Sequence, residues 1–369
     1  MIPVNEPLIG EREKNYVEEC LRTGWISSAG RFITEFEERW AAYCGMPYGI
    51  AVSNGTTALQ VAVRCLDLKP GDEVILPSFT IISCALAVVD TGATPVLVDS
   101  NPRTWCMDVE QVEARISPRT RAIMPVHIYG HPVDMDPILA LARRYNLAII
   151  EDAAEAHGAQ YRGKTCGGIG DLSCFSFYAN KIITTGEGGM LLARDPLLAE
   201  KAGSLRNLCF QKERRFYHTE LGYNYRLTNL QAAIGLAQLE RIEELLIRKR
   251  EIAKGYQERL QGYQSLQLPI EEPWAFNVYW MYGLVLDEAL GFDARWFAQR
   301  LGALGVETRP FFLGMHEQPV FHRAGLFLNE SYPVAERIAR QGLYLPSGLG
   351  LTESQIDQVC LAVGNALRI

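Results

Sequence analysis

Between residues 48 and 195, short apolar runs of strand type alternate with helical patterns, and this alternation leaves few architectures open. Tyr48-Gly-Ile-Ala-Val52 precedes a helical pattern over 57–66, and Glu73-Val-Ile-Leu76 precedes another near 82–90. Thr94-Pro-Val-Leu-Val98, Ala122-Ile-Met-Pro-Val126 and Leu147-Ala-Ile-Ile150 continue the series. Ser173-Cys-Phe-Ser-Phe177 and Met190-Leu-Leu-Ala193 complete it. Runs that are apolar on both faces and separated by helices predict an α/β fold, with a mostly parallel seven-stranded sheet between helices. An amphipathic pattern rich in Leu, Ile, Glu and Arg then spans 229–260 and reads as one helix with a solvated polar face. From Pro269 the pattern changes: 277–286 reads as a strand, 294–304 as a helix, 306–309 as the start of a strand and 352–367 as a final helix. The chain has 369 residues, too many for one ordinary core. We expect a large domain of residues 1–245 and a smaller C-terminal α+β domain of residues 246–369.

Composition excludes several functions. A net charge of −7, with both signs mixed along the chain, argues against a nucleic-acid partner. No apolar stretch approaches the roughly 18 residues of a membrane span. Charged Glu6, Glu11 and Arg12 come before any long apolar run, unlike a secretory leader, so a cytoplasmic location is expected. The nine cysteines are odd in number and scattered, without a CxxC pair. They read as reduced, mostly buried thiols rather than a disulfide framework, and no metal site is expected.

The chemistry concentrates where strands end, which is where open α/β sheets bind ligands. Of eight lysines, only Lys181 follows Ser176 and precedes Gly186, Gly188 and Gly189 on a polar turn between two apolar runs; Lys14, Lys69, Lys164, Lys201, Lys212, Lys249 and Lys254 sit in charged or turn-like surroundings. An amine there can be desolvated yet face a cavity, as a Schiff-base lysine must. Ser53-Asn-Gly-Thr-Thr-Ala-Leu59 follows a strand and opens a helix, which suits either a phosphate cradle or a simple N-cap by Asn54 or Thr56. Ile149-Ile-Glu-Asp-Ala-Ala-Glu-Ala-His157 places carboxylates after a buried strand, where Asp152 can cap a turn or hold a protonated ring nitrogen. Gly222-Tyr-Asn-Tyr-Arg-Leu-Thr-Asn229 offers Asn and Arg as caps or ligand contacts. Arg309-Pro-Phe-Phe-Leu-Gly-Met-His316 combines a cation, aromatics and a histidine, either structural or functional.

Lys181, Asp152, the Asn54-Gly-Thr turn and Gly222-x-Asn-x-Arg226 together resemble the DegT/DnrJ/EryC1/StrS family of pyridoxal-phosphate (PLP) sugar aminotransferases. The similarity runs from Trp25-Ile-Ser-Ser28 through Pro125-Val-His-Ile-Tyr-Gly130 to Leu345-Pro-Ser347. Gly30-Arg-Phe-Ile33, Asp134-Met-Asp-Pro-Ile138 and 228–239 carry a closer match to members that act on GDP-linked sugars. The resemblance implies a fold-type-I aminotransferase working as a homodimer, with pyridoxal phosphate as cofactor and L-glutamate as amino donor. The implied acceptor is a nucleotide-linked 4-keto-6-deoxyhexose, GDP-4-keto-6-deoxy-D-mannose ahead of UDP- or dTDP-linked sugars, for O-antigen or other surface polysaccharide. It assigns Lys181 as covalent anchor and proton shuttle, and Asp152 to the pyridine nitrogen. It assigns Glu155 to the place beside the phenolic oxygen where many relatives carry glutamine. Gly55, Thr56 and Ser176 would bind the phosphate, with Asn224 supplied by the partner subunit. Trp25, Ser27, Ser28, Arg309 and His316 are the expected substrate contacts. Ile81 stands where relatives place an aromatic residue over the cofactor ring, so about 0.5–1.5 kcal/mol of stacking is lost and weaker cofactor retention is expected. His157, apolar in similar members, is expected to pack behind Asp152. A branch that performs dehydration carries His in place of the lysine, and Lys181 argues against it. A cofactor-binding regulator without turnover is the alternative from a different class.

Overall fold

The computed structural model describes residues 1–211 and 213–368; Lys212 and Ile369 lie outside the described residues. Helices α1 (Glu11–Thr23) and α2 (Arg31–Tyr43) precede β1 (Tyr48–Val52), α3 (Gly55–Cys65), β2 (Glu73–Pro77), α4 (Ser83–Val89) and β3 (Thr94–Val98). The short α5 (Val112–Arg115), β4 (Thr120–Ile123), α6 (Met135–Tyr145) and β5 (Ala148–Asp152) follow. A small hairpin of β6 (Gln160–Tyr161) and β7 (Lys164–Thr165) leads to β8 (Leu172–Ser176), β9 (Gly189–Ala193) and α7 (Pro196–Arg206).

These strands form one seven-stranded sheet in the order β1-β9-β8-β5-β4-β2-β3. β3, β2, β4, β5 and β8 pair in parallel, while β9 runs antiparallel to both β8 and β1. The sheet is mostly parallel, with β9 reversed because it returns directly from β8 through the Lys181 turn instead of crossing over by a helix. Every residue of β2 and of β9 is buried, as expected of strands covered on both faces.

The pattern over 229–260 proves to be two helices, α8 (Asn229–Leu239) and α9 (Ile242–Leu260), because Arg241 leaves helical geometry at φ −125° and ψ 19°. α8 buries Ala232, Ala233, Gly235 and Leu236 against α1 and α2, so it has no broad solvated face. Glu240, at the break, is held by Arg12 at 3.1 Å and Arg39 at 2.7 Å. Only α9 carries the amphipathic pattern. Its first turns (Ile242, Leu245, Leu246) pack into the core around the large sheet, and its later turns (Ile252, Tyr256, Leu260) into a second core.

The rest of the chain contains β10 (Leu266–Gln267), β11 (Ala275–Phe276), β12 (Tyr282–Leu286), α10 (Ala294–Ala303), β13 (Arg309–Pro310), α11 (Pro319–Arg323), α12 (Pro333–Gln341), β14 (Gly342–Leu345) and α13 (Glu353–Leu367). β10-β12-β14-β13 form an antiparallel sheet, whose core includes Leu284, Phe297, Ile356 and Val363. Ile2 joins that core from the start of the chain, paired with Val306. β11 pairs with β6 and so joins the β6–β7 hairpin in a separate three-stranded sheet. The strand expected over 277–286 is confined to Tyr282–Leu286, because Tyr279 adopts φ 47° and interrupts the extended run.

Candidate active site

A cavity of about 600 Å³ opens where β2, β5 and β8 end, and its lining includes Gly55, Thr56, Ile81, Asp152, Glu155, Ser176 and Lys181. Seven residues scattered between positions 55 and 181 therefore face one space, as the parallel strands require of their C-terminal ends.

The wall at Gly55 is the first turn of α3. Asn54 is its N-cap, with Oδ1 accepting the Thr57 N–H at 2.9 Å, so the capping reading of this turn holds. The helix starts two residues earlier than the sequence pattern suggests, which brings Gly55 and Thr56 into its first turn. The free N–H groups and the dipole there favour an anion. Glycine is required at 55 by closeness: a Cβ there meets Ser176 Cβ at 2.8 Å. Thr56 Oγ1 lies 2.8 Å from Ser83 Oγ, which orients a second hydroxyl at the same corner.

Along β5 the side chains alternate, so consecutive carboxylates part company. Glu151 turns into the protein, paired with His127 at 3.0 Å, and accepts N–H groups from Gly167, Ile169 and Gly170. Burial opposes its charge, but His127 and those N–H groups outweigh it and hold the carboxyl below its usual range. Asp152 turns toward the cavity and is 2% exposed. Its Oδ1 accepts the Ala154 N–H at 3.0 Å and its Oδ2 the Cys84 thiol at 3.0 Å.

Glu155 is buried too, and its Oε2 accepts the Tyr129 N–H at 2.7 Å. Its Oε1 stands 3.9 Å from Lys181 Nζ. Burial pushes the Glu155 carboxyl up, with Lys181 and the Tyr129 N–H pulling against it. Burial pushes the Lys181 amine down, opposed by Glu155 and then Asp152. Both partners are thus displaced toward their neutral forms, as desolvation of a pair demands. Lys181 becomes a nucleophilic amine nearer to neutrality than a surface lysine.

His157 does not enter the cavity. It is fully buried among Trp40, Phe175 and Phe177, at ring distances of 5.6, 5.5 and 5.6 Å. Neither ring nitrogen has a hydrogen-bond partner, and burial first, then the Lys181 charge, lowers its pKa to about 3, so it is neutral.

Of the other expected contacts, none lines this cavity. Trp25, Ser27 and Ser28 lie on the exposed loop between α1 and α2, where the Trp25 and Ser27 carbonyls bind Asn229 at the start of α8. Asn224 is exposed and pairs through its backbone with Asn207. Arg309 is exposed and bonded to Glu307 at 2.6 Å. His316 is buried between Ser78 Oγ at 2.7 Å and Glu336 Oε1 at 3.2 Å, behind the end of β2.

The cavity also holds residues that the sequence reading missed: Trp280, Phe312 and Tyr344 from the second half, with Tyr178, Asn180 and Glu187 near the Lys181 turn. Phe312 stood among the aromatics of the 309–316 motif, of which only Arg309 and His316 were expected as substrate contacts. Trp280 was hidden by being read as one residue of a continuous strand.

An α/β sheet that presents a desolvated lysine, two carboxylates and a helix N-terminus to one cavity has the groups that an enzyme using a lysine amine and an anionic cofactor needs. The chain belongs to the DegT/DnrJ/EryC1/StrS aminotransferase family, whose signature matches residues 7–364. It is 48% identical to the GDP-perosamine synthase of Caulobacter vibrioides over 99% of this chain and 98% of that protein. It is 41% identical to the GDP-perosamine synthase of Escherichia coli O157:H7, over 98% and 97%. Its fold matches the crystal structure of the aminotransferase TlmJ from Streptoalloteichus hindustanus with a TM-score of 0.92 at 33% identity, covering 100% of this chain and 99% of that one.

The family works with pyridoxal phosphate, and the residues present fit that group. The α3 N-terminus with Gly55, Thr56 and Ser176 suits a phosphate, the buried Asp152 carboxylate suits a ring nitrogen, and Lys181 suits a carbonyl carbon. Ile81, 39% exposed, lines the cavity wall.

Proposed function

We propose that this aminotransferase moves an amino group from L-glutamate to the C4 keto group of GDP-4-keto-6-deoxy-D-mannose, giving GDP-perosamine for surface-polysaccharide synthesis. The observation that carries the reading is Lys181 Nζ held 3.9 Å from Glu155 in the cavity that also contains Asp152 and Gly55. Similarity to two GDP-perosamine synthases along nearly the whole chain supports the GDP-linked acceptor.

When bound, pyridoxal phosphate supplies an electron sink and stores the amino group between the two halves of the reaction. Around it, Asp152 would hold the ring nitrogen protonated, and Gly55, Thr56 and Ser176 would bind the phosphate. Glu155 would stand beside the phenolic oxygen, and Ile81 would cover the ring. Lys181 Nζ would anchor the cofactor and, once free, would take up and return a proton. Its burial favours the neutral, basic form, while Glu155 and Asp152 keep the ammonium accessible. The Trp280 ring lies against that amine, whose side chain is 9% exposed.

The active unit in this proposal is a homodimer with shared sites. Asn224 is exposed and does not line its own cavity, which supports a phosphate contact from Asn224 of the partner subunit. Mixing inactive Lys181→Ala and Asn224→Ala chains should then restore part of the activity by forming one intact site. Trp25, Ser27, Ser28 and Arg309 remain the proposed substrate contacts, all from exposed positions, with His316 nearby. Residues 1–245 and 246–369 are proposed as the two domains, supported by the change of core along α9. Among the described residues no helix is long and apolar enough to cross a membrane, and a cytoplasmic enzyme is proposed.

The test is direct. Purified chain loaded with pyridoxal phosphate should show an absorbance band that bleaches on adding L-glutamate, and GDP-4-keto-6-deoxy-D-mannose should restore it. A band that never bleaches refutes the aminotransferase reading; restoration only by a UDP- or dTDP-linked sugar refutes the GDP assignment. Lys181→Ala should abolish transfer with an unchanged thermal midpoint.

A further inference from the structure

A closed circuit of contacts surrounds the Lys181 amine. Nζ lies 3.7 Å from the centroid of the Trp280 ring and 3.9 Å from Glu155 Oε1. The other Glu155 oxygen accepts the Tyr129 N–H, and the Tyr129 ring stacks on Trp280 with centroids 6.2 Å apart and planes 23° from parallel. Trp280 is fixed at two more points. Its indole N–H donates to the carbonyl of Asn180, one residue before Lys181, at 2.8 Å. Its own carbonyl accepts from the buried Lys249 Nζ at 2.8 Å. The kink at Tyr279 stops the extended run just before this residue, which is 3% exposed. Space-filling alone demands none of these bonds.

An indole face is the best of the aromatic rings for a cation, and the attraction grows when water is excluded. Burial takes hydration away from the amine, and the ring returns part of that loss to the charged form alone. The other groups near the amine are Glu155 and Asp152, which favour the ammonium, and neutral His157. Glu187 is exposed at the cavity, and the hydroxyls of Tyr178 and Tyr344 complete the set.

We propose that Trp280 is the positioning residue for the free Lys181 amine: its ring face seats the ammonium whenever the amine is not covalently engaged, keeping it charged within the site. The proposal rests on Lys181 being the reacting amine, but its test needs no turnover. The experiment is the pH dependence of Lys181 acylation by acetic anhydride in the cofactor-free full chain, followed on the 181-containing peptide by mass spectrometry. Only the neutral amine reacts. In Trp280→Leu the pH of half-reaction should fall by about one unit, roughly a tenfold loss of proton affinity on the scale of a desolvated cation–π contact. In Trp280→Phe, which keeps a weaker ring, the fall should be smaller.

An unchanged profile in both variants overturns the proposal, and so does an equal fall in both, because a ring face then has no part. If the Leu variant fails to fold, the Phe variant decides alone: a fall supports the proposal, and no change overturns it. Should the parent protein fail to transfer amino groups, the functional reading falls while this measurement still stands.

Discussion

Lys249 offers the sharpest quantitative prediction. It lies in the middle of α9, is 2% exposed, and donates from Nζ to the carbonyl of Trp280 at 2.8 Å and to that of Ser347. Burial pushes its pKa from the usual 10.5 to about 7. The folded-state value is depressed, so between pH 7 and 10.5 the unfolded chain holds a proton that the folded chain lacks. Stability therefore rises with pH across that window, by about 1.4 kcal/mol per unit. From pH 7 to 10 the rise attributable to Lys249 is about 4 kcal/mol. That is a ceiling, because both carbonyl acceptors favour the ammonium and limit the swing. Lys249→Met removes the titration and leaves two buried carbonyls unpaired, at about 1–3 kcal/mol each. At pH 7 the relief from burying a charge offsets most of that loss; at pH 10 nothing does. The assay is urea unfolding of parent and variant at pH 7, 8, 9 and 10, taking the difference so that shared tyrosine and thiol titrations cancel. The gap should widen with pH. Parallel curves would refute the assignment of a depressed amine.

Three further outcomes follow from the site. Gly55→Ala places a methyl 2.8 Å from Ser176 Cβ, so the α3 turn must shift at a cost of about 1–3 kcal/mol. Cofactor affinity measured by fluorescence titration should drop at least several-fold, and an unchanged Kd would sink the phosphate assignment. Glu155→Gln keeps an acceptor for the Tyr129 N–H but removes the acidic neighbour of Lys181. The amine should then lose its proton at lower pH, visible as a downward move of the acid limb of kcat against pH. Ile81→Phe restores a ring over the cofactor and should tighten cofactor retention by about two- to tenfold, corresponding to 0.5–1.5 kcal/mol of stacking. Retention that does not improve on dialysis would count against Ile81 as the ring cover.

Much of the site was legible because α/β sheets export chemistry to strand ends. Lys181, Asp152, Glu155, Ser176, Gly55 and Thr56 stand at or just after apolar runs, and all of them line the cavity. Trp280, Phe312 and Tyr344 were not legible, since they reach the cavity from a separate half of the chain. Nothing local marks an aromatic residue as a lid rather than as core. The Trp25 loop, Asn224 and Arg309 show the converse: recognisable motifs whose side chains lie on the surface of a single chain.

The sequence by itself determined the class of sheet and marked Lys181 as a candidate, because hydrophobic periodicity and glycine placement act over a few residues; the roles of Asp152 and Glu155 came from the resemblance to the family. Tertiary structure decided the rest. The break at Arg241 divides one apparent helix into a buried α8 and an amphipathic α9. Strand alternation sends Glu151 to His127 and Asp152 to the cavity. Burial lowers the proton affinities of the Lys181 and Lys249 amines, opposed at Lys181 by Glu155 and Asp152. Desolvation depends on which distant residues close over a group, and a one-dimensional pattern does not contain that information.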